Sequence, residues 1–219
     1  MIALLRLTAS TGRVLMDLSC AVEKRHLTPL YRYQPLFTFL IMTTSTILPE
    51  NAKYQVYKPP FWPQIQGPAV FLAGSIEMGK AVDWQSPLTQ ALVDMPVTVL
   101  NPRRDDWDKT WEQDIANKHF KEQVDWEMDL LKKADVIALY FDPQTLSPIS
   151  LLELGMHAAD ASIGGGRKLV VCCPKGFWRR GNVQIVCHRY GITLVETMDE
   201  LIELVKERLC TALREQAWL

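Results

Sequence analysis

The chain has 219 residues, 48% of them hydrophobic and 22% charged, which is material for one globular domain with a segment to spare. Its 24 basic and 25 acidic residues leave a net charge of −1, which disfavours a protein held to a nucleic acid polymer by bulk charge. No apolar run reaches the roughly 18 residues of a membrane-spanning helix, and five cysteines without paired spacings predict neither a disulfide framework nor a zinc clip.

Residues 1–41 carry five basic side chains (Arg6, Arg13, Lys24, Arg25 and Arg32) against Asp17 and Glu23, a net of +3. Three readings fit this acid-poor leader: an upstream extension with the functional protein starting at Met42, a mitochondrial transit peptide, or a folded segment. Pro49, Pro59, Pro60, Pro63 and Pro68 then predict an extended arm. The expected division is an N-terminal extension over 1–60 and a folded domain over 61–219. The expected location is the cytoplasm, or the mitochondrion if the leader is a transit peptide.

From Ala69 the chain alternates between strands and helices. Val70-Phe71-Leu72-Ala73 predicts a first strand, and residues 87–94 a short helix with Ser86 as N-cap and Pro87 at its first position. A second strand follows over 97–100, a helix over 118–133 and a third strand over 135–141. A helix then runs to about 161, closed by Gly164-Gly165-Gly166. A fourth strand over 168–173, a fifth over 192–195 and an amphipathic helix over 197–212 complete the series. Continuous apolar strands separated by helices predict a flavodoxin-like α/β fold, a doubly wound five-stranded parallel sheet with helices on both faces. Its ligand should lie beyond the carboxyl ends of the strands.

That edge collects Gly74 and Ser75 after strand one, Asn101, Arg103 and Arg104 after strand two, and Asp142 through Ser150 after strand three. Gly74-Ser75 with Gly79 lacks the G-x-G-x-x-G spacing of a dinucleotide fingerprint, and no Walker sequence occurs, so no cofactor is expected. On a helical wheel Glu127 falls in the apolar stripe of Phe120, Val124 and Leu131, where a carboxylate is costly unless paired. It reads either as a structural acid or as a site acid. Glu153 has two readings as well. Ser150-Leu-Leu-Glu153 matches a capping box, whereas Ser147 as N-cap with Pro148 at N1 would leave the Glu153 carboxylate free in the second turn. The wheel sets Glu153 with Met156, His157 and Asp160, opposite Leu151, Leu154, Gly155, Ala158 and Ala159. Trp107, Trp111 and Trp178 read as plugs of the sheet edge or as stacking surfaces for a planar ligand. His157 and His188 have no visible acid partner, and Cys172 and Cys173 fill a buried strand.

Three stretches taken together resemble the nucleoside 2-deoxyribosyltransferase family: Phe71-Leu-Ala-Gly-Ser-Ile76, the Trp126-Glu127 helix running into Lys133-Ala-Asp135, and Ser147-Pro-Ile-Ser-Leu-Leu-Glu-Leu-Gly155. The resemblance covers about residues 69–190, with the Glu-Leu-Gly segment its most specific part. It implies cleavage of an N-glycosidic bond by a carboxylate nucleophile, Glu153, with Glu127 as the helix acid. It further implies that Gly74 and Ser75 contact the sugar, that Ser147 takes the place of a 5′-phosphate-binding serine, and that Asn182 is lent by a neighbouring subunit. Asn101 and Asp142 complete the expected substrate-binding set.

The chain departs from the family pattern at Phe71, where many relatives carry a tyrosine, and at Ser147, where transferases tend to carry an acid. Glu77 stands where nucleotide hydrolases are basic, so a 5′-phosphate would need Lys80, Arg103 or Arg104 to compensate. The expected partners are a small nucleoside or nucleotide and a second copy of the chain in a homodimer or larger homo-oligomer, with no nucleic acid polymer and no membrane. The expected function is cleavage or transfer at the N-glycosidic bond of a (2-deoxy)ribonucleoside or its 5′-monophosphate. The alternative is a non-catalytic module that binds such a molecule.

Overall fold

A computed structural model describes residues 53–77, 81–160 and 168–216. The leader over 1–41, Met42, Pro49, Gly79, Lys80 and Gly164 through Gly166 lie outside the described residues. Six parallel strands form the sheet: β1 (Gln55–Tyr57), β2 (Ala69–Gly74), β3 (Thr98–Leu100), β4 (Val136–Tyr140), β5 (Leu169–Cys172) and β6 (Thr193–Val195). Among the described residues five helices connect or follow them: α1 (Gln85–Ala91), α2 (Lys118–Lys133), α3 (Pro148–Asp160), α4 (Arg180–Tyr190) and α5 (Met198–Gln216).

The spatial order is β1-β3-β2-β4-β5-β6. Setting β1 aside, the five strands read from sequence run in the flavodoxin-like order, and the fold is the doubly wound α/β one expected. The expected count of five is corrected to six. Gln55–Tyr57, inside the proline-punctuated arm, pairs with Thr98–Leu100 and extends the sheet by one edge strand. The arm is tied down a second time where the indole of the buried Trp126 donates to the Phe61 carbonyl at 3.0 Å.

Strand alternation sends β2 side chains to both faces. Phe71 and Ala73 pack with Trp126 and Leu130 of α2, Leu154 and Ala158 of α3, and Val183 and Cys187 of α4. Val70 and Leu72 pack with Leu88 of α1 and with Leu201, Val205 and Leu209 of α5. The site elements α2 and α3 therefore share one face of the sheet. Cys172 and Cys173 are fully buried, as expected, and burial pushes the thiols up to about 12 and about 11, which keeps them unreactive.

Three local expectations change. Helix α1 begins at Gln85, so Ser86 is not its N-cap and Pro87 sits in the third helical position. The N-cap position is Trp84, which offers no side-chain acceptor, and Asp83 just before it accepts from the Ser86 backbone at 3.2 Å and from its hydroxyl at 2.6 Å. The buried side of α2 is Gln123, Trp126, Leu130 and Leu131, leaving Phe120 and Val124 only partly buried. On α3 the buried side is Ser150, Leu154, His157 and Ala158, while Gly155 and Ala159 are exposed. Helix α4 was not expected at all.

Candidate functional site

The switch point of this sheet falls between β2 and β4, where the crossovers leave in opposite directions. Strand β2 ends at Gly74, whose φ of +133° brings its backbone against β4. A Cβ there would lie 2.2 Å from the Tyr140 carbonyl oxygen, so no other residue fits. The turn delivers Ser75 into a buried hydroxyl cluster. Ser75 Oγ lies 2.5 Å from Ser147 Oγ and accepts from the Asp142 backbone at 2.8 Å. Thr145 Oγ1 is 2.9 Å from Ser75 Oγ and 2.7 Å from Ser147 Oγ. Sequence reading passed over Thr145, although it belongs to the same polar turn.

Ser147 immediately precedes Pro148, the first residue of α3, with a left-handed φ of +45°. A serine in that conformation is strained by roughly 1–2 kcal/mol, and its two hydroxyl contacts hold it there. Of the two readings of Glu153, the helix start at Pro148 places it in the second turn. Ser150 is buried within the first turn instead of capping it, and Glu153 is half-buried beside it.

Glu127 on α2 is likewise half-buried, at the margin of the buried side instead of within it. Its Oε1 accepts from Gln123 Nε2 at 2.7 Å, one helical turn back, and the same amide donates to the Pro102 carbonyl at 3.0 Å. Loss of hydration raises the pKa of Glu127 to about 7. Glu153 is pushed up to about 8, first by loss of hydration and then by the charge of Glu127. Neither carboxyl is paired with a cation among the described residues. Gln123 was missed because polarity on a wheel suggests solvent; its i, i+4 relation to Glu127 was the available signal.

The remaining expected site residues separate into braces and outliers. Asp142 spends its carboxylate on the backbones of Val82 (3.0 Å) and Gln144 (2.9 Å). Asn101 accepts from the Arg103 backbone at 3.0 Å and is mostly buried. Asn182 is exposed on the first turn of α4, lining a groove with Leu151, Leu154 and Gly155 of α3. That groove does not include Glu127 or Glu153. Trp111 already stacks on His119, with ring centres 5.0 Å apart, and carries Arg104 over its ring, while Trp107 meets it edge-on. These two tryptophans pack the loop after β3. Trp178 is half exposed and donates to the Leu146 carbonyl at 3.0 Å. His157 is buried, and loss of hydration lowers its pKa. Among the described residues no three His, Cys, Asp or Glu side chains converge as a metal site, and no helix is long and apolar enough to cross a membrane.

Fold and site together define a flavodoxin-like α/β protein with two raised-pKa carboxyls on neighbouring helices beside its switch point. A family model described as nucleoside 2-deoxyribosyltransferase like matches residues 67–177, just over half of the chain, and the chain belongs to that family. The comparison with curated proteins returned no match.

Proposed function

We propose that the folded domain, which takes in the edge strand Gln55–Tyr57 and so begins before the expected boundary at 61, cleaves the N-glycosidic bond of a nucleoside, passing the sugar to a second base or to water. The observation that carries this reading is the pair Glu127 and Glu153, both raised by burial, with the charge of Glu127 raising Glu153 further. Two carboxyls in such surroundings can divide into an acid and a nucleophile. In the reacting protonation state Glu153 carries the charge and Glu127 the proton: Glu153 attacks the anomeric carbon as the bond to the base nitrogen breaks, and the leaving base takes the proton from Glu127. The sugar is left as an ester of Glu153. An acceptor base or water then attacks the same carbon, giving its proton back to Glu127 and releasing Glu153 as a carboxylate, so two inversions give net retention.

Ser75 and Ser147 line the sugar end in this reading, with Gly74, Asn101 and Asp142 holding the loops around them. Glu77 supports an uncharged sugar end: its Oε1 accepts from the Leu146 backbone at 3.2 Å, just before Ser147. The Arg103 guanidinium is engaged by Val82 and Gln85, and Arg104 by Asp106. A nucleoside therefore suits the described residues better than its 5′-monophosphate. The carboxyl pair requires no cofactor in this scheme, and the cytoplasm is the proposed setting.

The test is a panel of deoxyribonucleosides, ribonucleosides and their monophosphates, each incubated with and without an acceptor base. Release of free base that disappears in Glu153→Ala is expected. A wild-type protein that binds a nucleoside in calorimetry yet releases no base at high enzyme concentration sinks the catalytic reading. That outcome favours a binding module, the reading supported by Phe71, which is fully buried under Trp126 with no phenol to offer the site.

A further inference from the structure

Gln123 is buried, at 4% exposure, in the middle of the inner side of α2. Both hydrogens of its amide are committed, one to the Pro102 carbonyl and one to Glu127 Oε1. Two acceptors on the nitrogen fix which end of the amide is which, because exchanging nitrogen and oxygen would set an oxygen against both of them. That leaves Gln123 Oε1 buried without a hydrogen-bond partner. A buried carbonyl oxygen in that condition calls for a donor.

Glu127 can supply one. A primary amide and a carboxylic acid pair in a closed ring, the amide N–H donating to one acid oxygen and the acid O–H donating back to the amide oxygen. A carboxylate at 127 could not complete that ring, since it has no proton to return. The titratable group nearest this position is Glu153 from α3, which feels the charge of Glu127. Among the described residues no lysine, arginine or histidine opposes it.

We propose that Gln123 and Glu127 form such a closed acid–amide pair, so that Gln123 is the positioning residue that holds a transferable proton on Glu127. The inference rests on and deepens the glycosidic reading by giving the Glu127 proton a residue that holds it, but the acid–amide pair itself exists without turnover. It also reverses the simpler expectation that an amide donor only stabilises the carboxylate. Here the acid form gains two hydrogen bonds and the carboxylate only one.

The experiment is a nuclear magnetic resonance titration of the full chain, labelled with 13C at the side-chain carbonyl carbons of glutamate and glutamine, from about pH 5 to about pH 9.5. Loss of a signal in Glu127→Gln and in Gln123→Met assigns the two resonances. In the wild type Glu127 is expected to keep the shift of a carboxylic acid at pH 6. The Gln123 carbon is expected to move upfield in the same step in which Glu127 loses its proton. If Gln123→Met does not fold, the smaller change Gln123→Asn, which removes the glutamine carbon and keeps an amide, assigns the same resonance. A carboxylate shift at Glu127 at pH 6, or a Gln123 carbon that stays still while Glu127 titrates, overturns the proposal. Base release with a motionless Gln123 would discard the pair and keep the glycosidic reading; a coupled titration without base release would do the reverse.

Discussion

Ser75 Oγ and Ser147 Oγ meet at 2.5 Å across 72 residues of chain, joining the end of β2 to the start of α3. Through this contact the glycine turn and the Glu153 helix are held to each other at the switch point. Ser75 also serves Thr145 Oγ1 and the Asp142 backbone. Ser75→Ala should leave these buried groups short of a partner and cost about 1–3 kcal/mol. Urea unfolding of the variant checks this, and an unchanged midpoint contradicts it.

Gly74→Ala should be harsher. The added methyl would meet the Tyr140 carbonyl carbon at 3.0 Å and its oxygen at 2.2 Å, both backbone atoms of the adjacent strand. Neither can move without breaking the β2–β4 ladder, and the φ of +133° is strained for any side chain. A loss of more than about 2 kcal/mol, or failure to accumulate as folded protein, is expected. Circular dichroism during urea unfolding measures it. A variant as stable as the wild type would show that β2 and β4 approach less closely than described.

Much of this architecture was legible because long apolar runs such as Val70–Ala73 and Val136–Leu139 have few alternatives to a buried parallel strand. The parts that escaped have physical reasons. β1 is three residues of mixed polarity between prolines, and only its register with Thr98–Leu100 makes it a strand. α4 buries only Val183 and Cys187, too sparse a stripe to stand out. Glu153 was visible as a carboxyl but ambiguous as a cap, because either Ser147 or Ser150 could begin α3. The side of α3 that carries it read as solvent-facing, since His157 is polar, yet His157 is buried and Glu153 half-buried. Gln123 was invisible for the same reason.

Activity should depend on Glu153 far more than stability does. Glu153 is not the reciprocal partner of an N-cap, so Glu153→Gln removes the nucleophile without opening a helix end. A fall of at least roughly 10³-fold in base release is expected, with a melting temperature at neutral pH no lower than that of the wild type. A parallel loss of both would return Glu153 to a structural role.

The carboxyl pair should also tilt stability with pH. Both folded-state pKa values, about 7 and about 8, lie above the ordinary glutamate value of 4.5. Below pH 4.5 both groups are protonated in the folded and unfolded states alike, and their contribution is fully present. As pH rises from there through 8, the unfolded chain releases protons that the folded chain retains, so stability falls. Glu127→Gln and Glu153→Gln should each flatten that decline, and each should melt above the wild type at pH 8.5. Melting curves at pH 5.5, 7 and 8.5 test the sign; a wild type that gains stability over this range through these two groups refutes it.

Assembly is the remaining expectation with a surface to support it. Ile149 and Leu152 on α3 are each 60% exposed, Met156 follows one turn on, and Ile185 on α4 is 65% exposed. Residues 149, 152 and 156 fall on one side of a helix, so the apolar surface is a stripe and not scattered side chains. Burying it against a second copy would satisfy it and would bring another chain next to the groove lined by Asn182. Leu152→Glu should then convert a dimer to a monomer in sedimentation velocity at micromolar concentration, without lowering the melting temperature of the isolated subunit. Activity is expected to fall with the dimer if a partner's Asn182 completes the site, and Asn182→Ala should lower it without dissociating the dimer. A wild-type chain that sediments as a monomer at every concentration refutes the assembly and removes the reason for the stripe.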